Sequence, residues 1–474
     1  MQMPTDLGTI HIMGIGGIGM SAIAEVLAAK GFAVQGSDQK DSANVQRLRR
    51  LGMRVFVGHD GANVNGARFV VISTAVKDSN PELIAAREKG LPIIRRAEML
   101  AEIMRLYRTI SVTGTHGKTT TTSLIAHLLA AAQKDPTVIT GGIINDWGSN
   151  ARLGKSPWMV VEADESDGTF IKIPTEIGIV TNIDPEHLDY FKTVENMHAQ
   201  FEAFFKNIPF YGLAVTCIDH PVARDMVERL GLRRDSRRLL TYGIAEAADL
   251  RLTSVRVEGQ VTIFDAELGP RVTGGSRSLK GWRMPVPGHH NALNALGAIA
   301  VATEMGLSDG AIHDAMASFS GVKRRFQPTG SWNGVQVFDD YGHHPVEIAA
   351  VLKAAHAGVK SADANARVFA VVEPHRYTRV KDLWHEFASC FGDADHVIVL
   401  PLYTAGEPPI SGVGNAGLAK AIAATGHPSA VAVASAIDVA AIVRRRAKAG
   451  DLVMYLGAGH STDWAHLLPG ELAG

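Results

Sequence analysis

Thr109-Ile-Ser-Val-Thr-Gly-Thr-His-Gly-Lys-Thr-Thr-Thr-Thr122 is an apolar run that feeds a glycine loop and opens into the alanine-rich segment Ser123-Leu-Ile-Ala-His-Leu-Leu-Ala-Ala-Ala132. The run reads as a buried parallel strand and the segment after Lys118 as a helix packed on the same sheet. Between them, unpaired backbone N–H groups converge on the positive end of the helix dipole, and Gly114 and Gly117 permit close approach. This is a phosphate cradle. Lys118 is expected on the β/γ-phosphates and the Thr119 hydroxyl on Mg²⁺. Gly114, Thr115, His116, Gly117, Lys118, Thr119 and Thr120 form the expected phosphate-binding set, with ATP as the ligand. The spacing G-x-x-G-K-T-T is two residues shorter between the glycines than the general P-loop pattern.

Working outward, 474 residues exceed what one core usually supports, so about three domains of roughly 100–200 residues each are expected. A net charge of −1, from 47 basic and 48 acidic side chains, provides no field for nucleic acid or an anionic membrane, and points to small-molecule partners. Cys217 and Cys390 lie far apart, with no C-x-x-C pattern, and suit a reducing compartment as core residues. Residues 1–6 lack a basic n-region, and glycines break the apolar run that follows, so the sequence supports neither a signal peptide nor a span; a cytoplasmic location is expected.

The chain begins with a strand at Thr9-Ile-His-Ile-Met13, followed by Gly14-Ile-Gly-Gly-Ile-Gly19 and a helical pattern from Met20 to Lys30. A second strand ends in Ser37-Asp38. This is a G-x-G-x-x-G turn in its strand–turn–helix setting, with an acid at about the ribose spacing. Such a turn recognises a pyrophosphate, which NAD and a UDP-sugar both carry, so it fixes the middle of the ligand and leaves the ends open. Gly14, Gly16, Gly17, Gly19, Ser37 and Asp38 are the candidates. Ser73, at the end of a further strand, is a candidate too, because open α/β sheets bind ligands at carboxyl ends; it could equally cap the next turn. His59 reads as an ordinary loop residue.

Farther on, Trp158-Met-Val-Val-Glu-Ala-Asp-Glu-Ser-Asp167 is a strand that releases four carboxylates within six positions. Like charges crowd in this way where a cation neutralises them, and a P-loop nucleotide needs such an acid for its metal. Ile177-Gly-Ile-Val-Thr-Asn-Ile-Asp-Pro-Glu-His-Leu-Asp189 repeats the pattern with Asn182, Asp184, Glu186, His187 and Asp189, and the histidine suggests a second metal position. In Pro287-Gly-His-His-Asn-Ala-Leu-Asn294, Asn291 and Asn294 stand at i,i+3, where amides can read a base edge or cap the helix.

G-T-H-G-K-T-T, E-A-D-E-S-D, T-N-I-D-P-E-H-L-D and G-H-H-N-A-L-N, in this order, resemble the Mur ligases of peptidoglycan synthesis, and the resemblance runs over essentially the whole chain. The shortened P-loop is the form that family uses. The resemblance implies that Glu162 and Thr119 hold one Mg²⁺, that His187 holds the second, and that Asn291 and Asn294 lie at adenine. It implies further that Arg325 reaches the nucleotide and that Asp340 contacts its ribose, with Tyr341 and His343 facing an incoming amino acid. Arg376 and Arg379, at i,i+3 after a strand, can clamp a carboxylate bidentately, and the family uses the corresponding pair in this way. Catalysis would then rest on Lys118, Glu162, His187 and Arg376.

The expected architecture is α/β with three domains: a Rossmann-like UDP-sugar domain over 1–107, a P-loop ATPase domain with a parallel sheet over 108–320, and a Rossmann-like amino-acid domain over 321–474. The opening G-I-G-G-I-G-M-S is most similar to family members that join L-alanine to UDP-N-acetylmuramate with ATP and Mg²⁺. A sister activity that attaches a recycled tripeptide ranks second. A nicotinamide dehydrogenase would leave the P-loop idle, and a regulatory ATPase would leave the paired arginines idle. A monomer or weak homodimer is expected.

Overall fold

The protein is described by a computed structural model covering residues 8–73, 75–166, 168–231 and 238–473. Residues 1–6, Thr74, Asp167 and the side chain of Asp189, which figure in the sequence reading, lie outside the described residues. The fold is mixed α/β with three separate sheets. Packing divides the chain into two compact units. One comprises the chain up to Leu252 with Glu267–Ser278 and Asn294–Met316; the other comprises Thr253–Ala266, Leu279–Leu293 and the chain from Ala317 onward.

In the first unit, β1 (Thr9–Met13), β2 (Val34–Asp38), β3 (Arg54–Val57), β4 (Ala67–Ile72) and β5 (Ile93–Arg95) form a parallel sheet in the order β3-β2-β1-β4-β5. Parallel neighbours require crossover helices. The chain builds outward from β1 in one direction and then restarts at β4 on the other side, so the glycine loop after β1 sits at the topological switch point.

The second sheet contains β6 (Arg108–Thr113), β7 (Thr137–Ile144), β8 (Ser149–Arg152), β9 (Trp158–Glu162), β10 (Ile177–Val180), β11 (Leu213–Cys217) and β12 (Arg238–Gly243), ordered β12-β11-β10-β6-β9-β7-β8. Its central strands are buried almost throughout, as apolar runs covered on both faces must be. The chain passes between the units within β13 (Leu250–Glu258), β14 (Val261–Leu268) and β15 (Arg277–Met284).

The first two sheets share one apolar core, in which Ile10, Ile23 and Leu27 belong to the same cluster as Met159, Val161, Phe170 and Phe201. Polar ties accompany it: the Asn150 amide donates to the Ile18 carbonyl at 2.7 Å, and Arg47 donates to the Ser149 hydroxyl at 3.1 Å. The boundary expected at 107/108 therefore lies inside a single compact unit.

In the second unit, β16 (Gln327–Trp332), β17 (Val335–Asp340), β18 (Val368–Val372), β19 (His396–Val399), β20 (Ala430–Ala432) and β21 (Leu452–Leu456) form a sheet ordered β16-β17-β21-β18-β19-β20, with β16 antiparallel. Leu456 is the register partner of both Asp340 and Val372, so three strands end level. Among the described residues, no helix is long and apolar enough to cross a membrane. Cys217 is buried and Cys390 partly so, and burial pushes both thiols up to about 12.

Beneath the first sheet lies a polar network that the sequence reading does not anticipate. Glu82 is fully buried and accepts from Ser37 Oγ at 2.5 Å and from Asn63 Nδ2 at 2.6 Å, with His11 Nε2 and His59 Nδ1 each at 3.3 Å. His59, read as an ordinary loop residue, is part of this network. Ser37, expected at the sugar, is fully buried with its hydroxyl donated inward. Burial alone would raise the Glu82 pKa, but the hydrogen bonds from His11, Ser37 and Asn63 outweigh it and hold the carboxyl at about 2.

Two outcomes are expected. Glu82→Ala, which strands several buried donors, should lower stability by on the order of 3 kcal/mol in urea unfolding. Because the folded pKa lies below the unfolded value, the Glu82 contribution is full above about pH 4.3 and is lost as pH falls toward 2. Glu82→Gln should therefore flatten the acid limb of the stability curve below about pH 4.3; an unchanged slope would count against the network.

Candidate functional site

Register brings the central motifs together. Val112 pairs with Glu162 on one side of β6 and Thr113 pairs with Val180 on the other, so the glycine loop, the acidic strand end and the T-N-I-D-P-E-H segment leave the same sheet edge. Gly114 has φ +127° and a Cβ there would stand 2.2 Å from Thr181 Oγ1; Gly117 has φ +81° and a Cβ there would meet Asn294 Oδ1 at 2.5 Å. Only glycine fits either position. Gly117 is the N-cap of the helix Lys118–Ala131.

The loop is braced by the segment after β10. Asn182 Oδ1 accepts from His116 N at 2.8 Å, its amide donates to the His116 carbonyl at 2.9 Å, and Thr181 Oγ1 donates to that carbonyl at 2.7 Å. The Thr115 hydroxyl donates to Asp184 O at 3.0 Å. Asp184 also contacts His116 at 3.5 Å and His220 at 3.1 Å.

Lys118 Nζ donates to the carbonyls of Gly114 at 2.6 Å and Thr115 at 3.0 Å and to Glu165 Oε1 at 2.9 Å. Burial would lower its pKa, but Glu165, Asp164 and Glu162 reverse this and hold it above its ordinary value, so the lysine is a cation. Burial, helped by Asp164, pushes Glu165 up to about 7 despite the lysine.

Thr119 and Glu162, expected to share a metal, are joined by a 3.0 Å hydrogen bond, and Thr120 is buried in the same first turn. The other Glu162 oxygen accepts from Thr140 Oγ1 at 3.1 Å and Gly141 N at 2.6 Å. His187 has φ +55° and stands 3.8 Å from Glu165. With Glu186, these two offer ligand atoms all within 4.8 Å of one another, and Glu165 Oε2 is buried without a hydrogen-bond partner among the described residues. An oxygen-rich set with one histidine and an orphaned carboxylate oxygen fits a divalent cation. Glu165 is the member that sequence reasoning did not single out; among four nearby acids, no spacing rule selects it.

At the first glycine loop, Gly14 has φ +71° and Gly17 caps the helix Ile18–Ala29. Asp38, expected at a ribose, accepts from Gly16 N at 2.9 Å and Lys40 N at 3.1 Å and so braces the loop itself. A Cβ on Gly19 would meet Arg96 Nη1 at 2.9 Å, and Arg96 pairs with Asp164 at 3.3 Å. Ser73 is partly buried, and its carbonyl accepts from Val76 N at 3.2 Å.

The expected nucleotide contacts are distributed over both units. Gly114 to Thr120 and Asn294 belong to the first; Asn291, Arg325 and Asp340 belong to the second. Asn291 donates through Nδ2 to Pro287 O at 2.8 Å, which ties its amide to the turn that precedes the helix. Asp340 accepts from Phe326 N at 2.8 Å and Gly342 N at 2.7 Å; burial pushes it up to about 6, against the pull of Arg325. The Arg325 guanidinium lies 5.3 Å from the Tyr341 ring.

Beyond the level ends of β17 and β18, Tyr341 meets His343 edge-on at 5.2 Å, and His343 meets His375 at 5.5 Å. Arg379 Nη1 approaches His375 Nδ1 at 3.3 Å. Arg376 donates through Nε to Glu407 Oε1 at 2.7 Å. The two arginines thus share a locality, with Arg376 already engaged by an internal carboxylate that the sequence reading did not include.

Three family descriptions match the chain: "Mur ligase family, catalytic domain" over residues 9–108, "Mur ligase middle domain" over 112–302, and "Mur ligase, glutamate ligase domain" over 324–459. The chain is 56% identical over 473 residues to the UDP-N-acetylmuramate–L-alanine ligase of Mesorhizobium japonicum, covering 100% of both chains. It is also 56% identical to that of Xanthobacter autotrophicus, covering 100% of this chain and 99% of the relative. Among solved structures, the UDP-N-acetylmuramate-alanine ligase MurC of Thermotoga maritima superposes with a TM-score of 0.80 at 27% identity, over 98% of this chain and 99% of that one. A murein peptide ligase from Psychrobacter arcticus shares the fold, with a TM-score of 0.69 at 24% identity over 98% and 99%.

Gly114→Ala should destabilise the first unit by on the order of 3 kcal/mol, because positive φ and the Thr181 clash act together. Urea unfolding measures it, and a loss below about 1 kcal/mol would show that the loop tolerates a side chain.

Proposed function

The chain belongs to the Mur ligase family, and on that premise we propose that it joins L-alanine to the lactyl carboxylate of UDP-N-acetylmuramate, driven by ATP, in the making of peptidoglycan precursors. The observation that carries this reading is full-length 56% identity to ligases of that name. The division of labour we propose assigns the UDP-sugar to residues 1–107, the ATP phosphates to 108–320 and the amino acid to 321–474.

A carboxylate resists an amine because oxide is a poor leaving group. In the proposed sequence, a lactyl carboxylate oxygen attacks the γ-phosphorus, the bond to the β-phosphate oxygen breaks, and ADP departs, leaving an acyl phosphate. The alanine amine then attacks the acyl carbon, a tetrahedral intermediate forms, and inorganic phosphate leaves as the nitrogen gives up a proton.

Lys118 brings a buried positive charge to the phosphoryl group in flight, a stabilisation that is electrostatic and preorganised. Thr119 and Glu162 would hold one Mg²⁺; Glu165, Glu186 and His187 would hold a second. Bound Mg²⁺ supplies charge neutralisation across the polyphosphate. Asn291, Asn294, Arg325 and Asp340 take the rest of the nucleotide in this reading, and Gly14, Gly16, Gly17 and Gly19 receive the diphosphate of the sugar nucleotide. Arg376 and Arg379, with Tyr341 and His343, grip the carboxylate of alanine, leaving the amine as the reactive end. We place the enzyme in the cytoplasm as a monomer or weak homodimer with small-molecule partners alone.

Phosphate release from Mg²⁺-ATP and UDP-N-acetylmuramate tests the reading. Release should require L-alanine; release only with the L-Ala-γ-D-Glu-containing tripeptide would make this a recycling ligase, and release indifferent to the acceptor would leave a generic ATPase. Lys118→Ala should abolish release while UDP-sugar binding persists by calorimetry; equal loss of both would contradict the division of labour. Arg376→Ala should raise KM for alanine at least about tenfold with little change in KM for ATP, and a purely nucleotide-centred effect would remove the assignment.

A further inference from the structure

Arg376 has φ +69° and ψ +128°, a backbone conformation that L side chains rarely adopt. Non-glycine residues persist in such regions only where their surroundings over-determine them, and they cluster at ligand clamps. Here the surroundings come from one loop. Tyr403 O accepts from Arg376 N at 2.9 Å, and Tyr403 N donates to Pro374 O at 2.8 Å, so residues 374–376 are zipped against Tyr403. The Tyr403 ring stacks on His375 with centroids 5.3 Å apart and planes 13° apart. Four residues later the same loop delivers Glu407.

The Glu407 carboxylate is fixed independently of the arginine. Oε2 accepts from Thr378 N at 3.0 Å, Oε1 accepts from Thr378 Oγ1 at 2.8 Å, and Arg376 Nε donates to Oε1 at 2.7 Å. Its side chain is 16% exposed and that of Arg376 is 32% exposed, so a solute can reach the arginine while the carboxylate that holds it is mostly covered. An arginine on a flexible stem loses rotamer entropy on gripping a carboxylate; one already held by Nε loses less and presents its fork in a set plane.

We propose that Glu407 is a positioning residue for the acceptor: it acts through Arg376, orienting the guanidinium for the carboxylate of the incoming amino acid. This deepens the reading given above and rests on it. The competing possibility is that Glu407 occupies the place of the substrate's carboxylate and must be displaced; its anchorage to Thr378 argues against that, because the carboxylate keeps two partners that have no part in the grip. The two differ in sign. A positioning residue tightens alanine binding, whereas a surrogate weakens it.

The test is steady-state kinetics of Glu407→Ala, Glu407→Gln and Thr378→Val with L-alanine and with L-alaninamide, which has the same amine and no carboxylate. In Glu407→Ala, KM for alanine should rise at least about tenfold, and the preference for alanine over alaninamide in kcat/KM should shrink by about the same factor. KM for ATP and for the UDP-sugar should not move. Glu407→Gln, whose amide oxygen can still accept from Nε, should recover part of the preference, and Thr378→Val should lie between wild type and Glu407→Ala. Equal losses with alanine and alaninamide would overturn the proposal in favour of general damage to the fold, and a lower KM for alanine would overturn it in favour of a displaced surrogate. Absence of alanine-dependent turnover in the wild type would strike the functional reading itself, whereas turnover with no selective change in the variants would strike only the role of Glu407.

Discussion

A lysine can stay charged inside a protein only if negative charge is built around it, and the central sheet is arranged to meet that condition. Lys118 is tied to two loop carbonyls and to Glu165, with Asp164 and Glu162 adding their fields. Each partner depends on strand register: β9 must end level with β6 for its acids to reach the loop, and β10 must end level on the other side for Thr181 and Asn182 to brace it. The same arrangement explains why so many acids tolerate one another. The buried cation is what holds them together, while burial, ahead of the lysine's attraction, keeps the Glu165 pKa raised.

Much of this was legible from the chain. β1 has the expected termini, and the glycine loops fall where apolar runs give way to helices. These signals are local, because a strand buried on both faces must be continuously apolar and a loop at positive φ must use glycine. Asn182 and Thr119 could be placed by such reasoning because each sits at a strand or helix end, whereas Glu162 is picked out from its acidic neighbours only by the family resemblance.

What could not be read are pairings between distant positions. Glu165 meets Lys118 across 47 residues, Glu407 meets Arg376 across 31, and His11 meets Glu82 across 71. A lone glutamate in a proline-containing loop or a helical first turn has no pattern that separates it from a solvated one. Ser37 illustrates the converse: its position at a strand end suggested a ligand contact, whereas a buried carboxylate from a later helix captures its hydroxyl. Local sequence indicates where a side chain emerges, but the partner it finds depends on tertiary packing.

The core shared by the first two sheets has a further consequence for how such enzymes can be altered. Because Ile10 and Leu27 belong to the same apolar cluster as Val161 and Phe201, the sequence segment that carries the first glycine loop is not a cassette. Grafting it onto another relative would transplant half of a core, leaving methyl groups to meet a surface shaped for different ones. Residues around the first loop are therefore more readily changed singly than by exchanging the segment whole, and variation on one side of the seam constrains variation on the other.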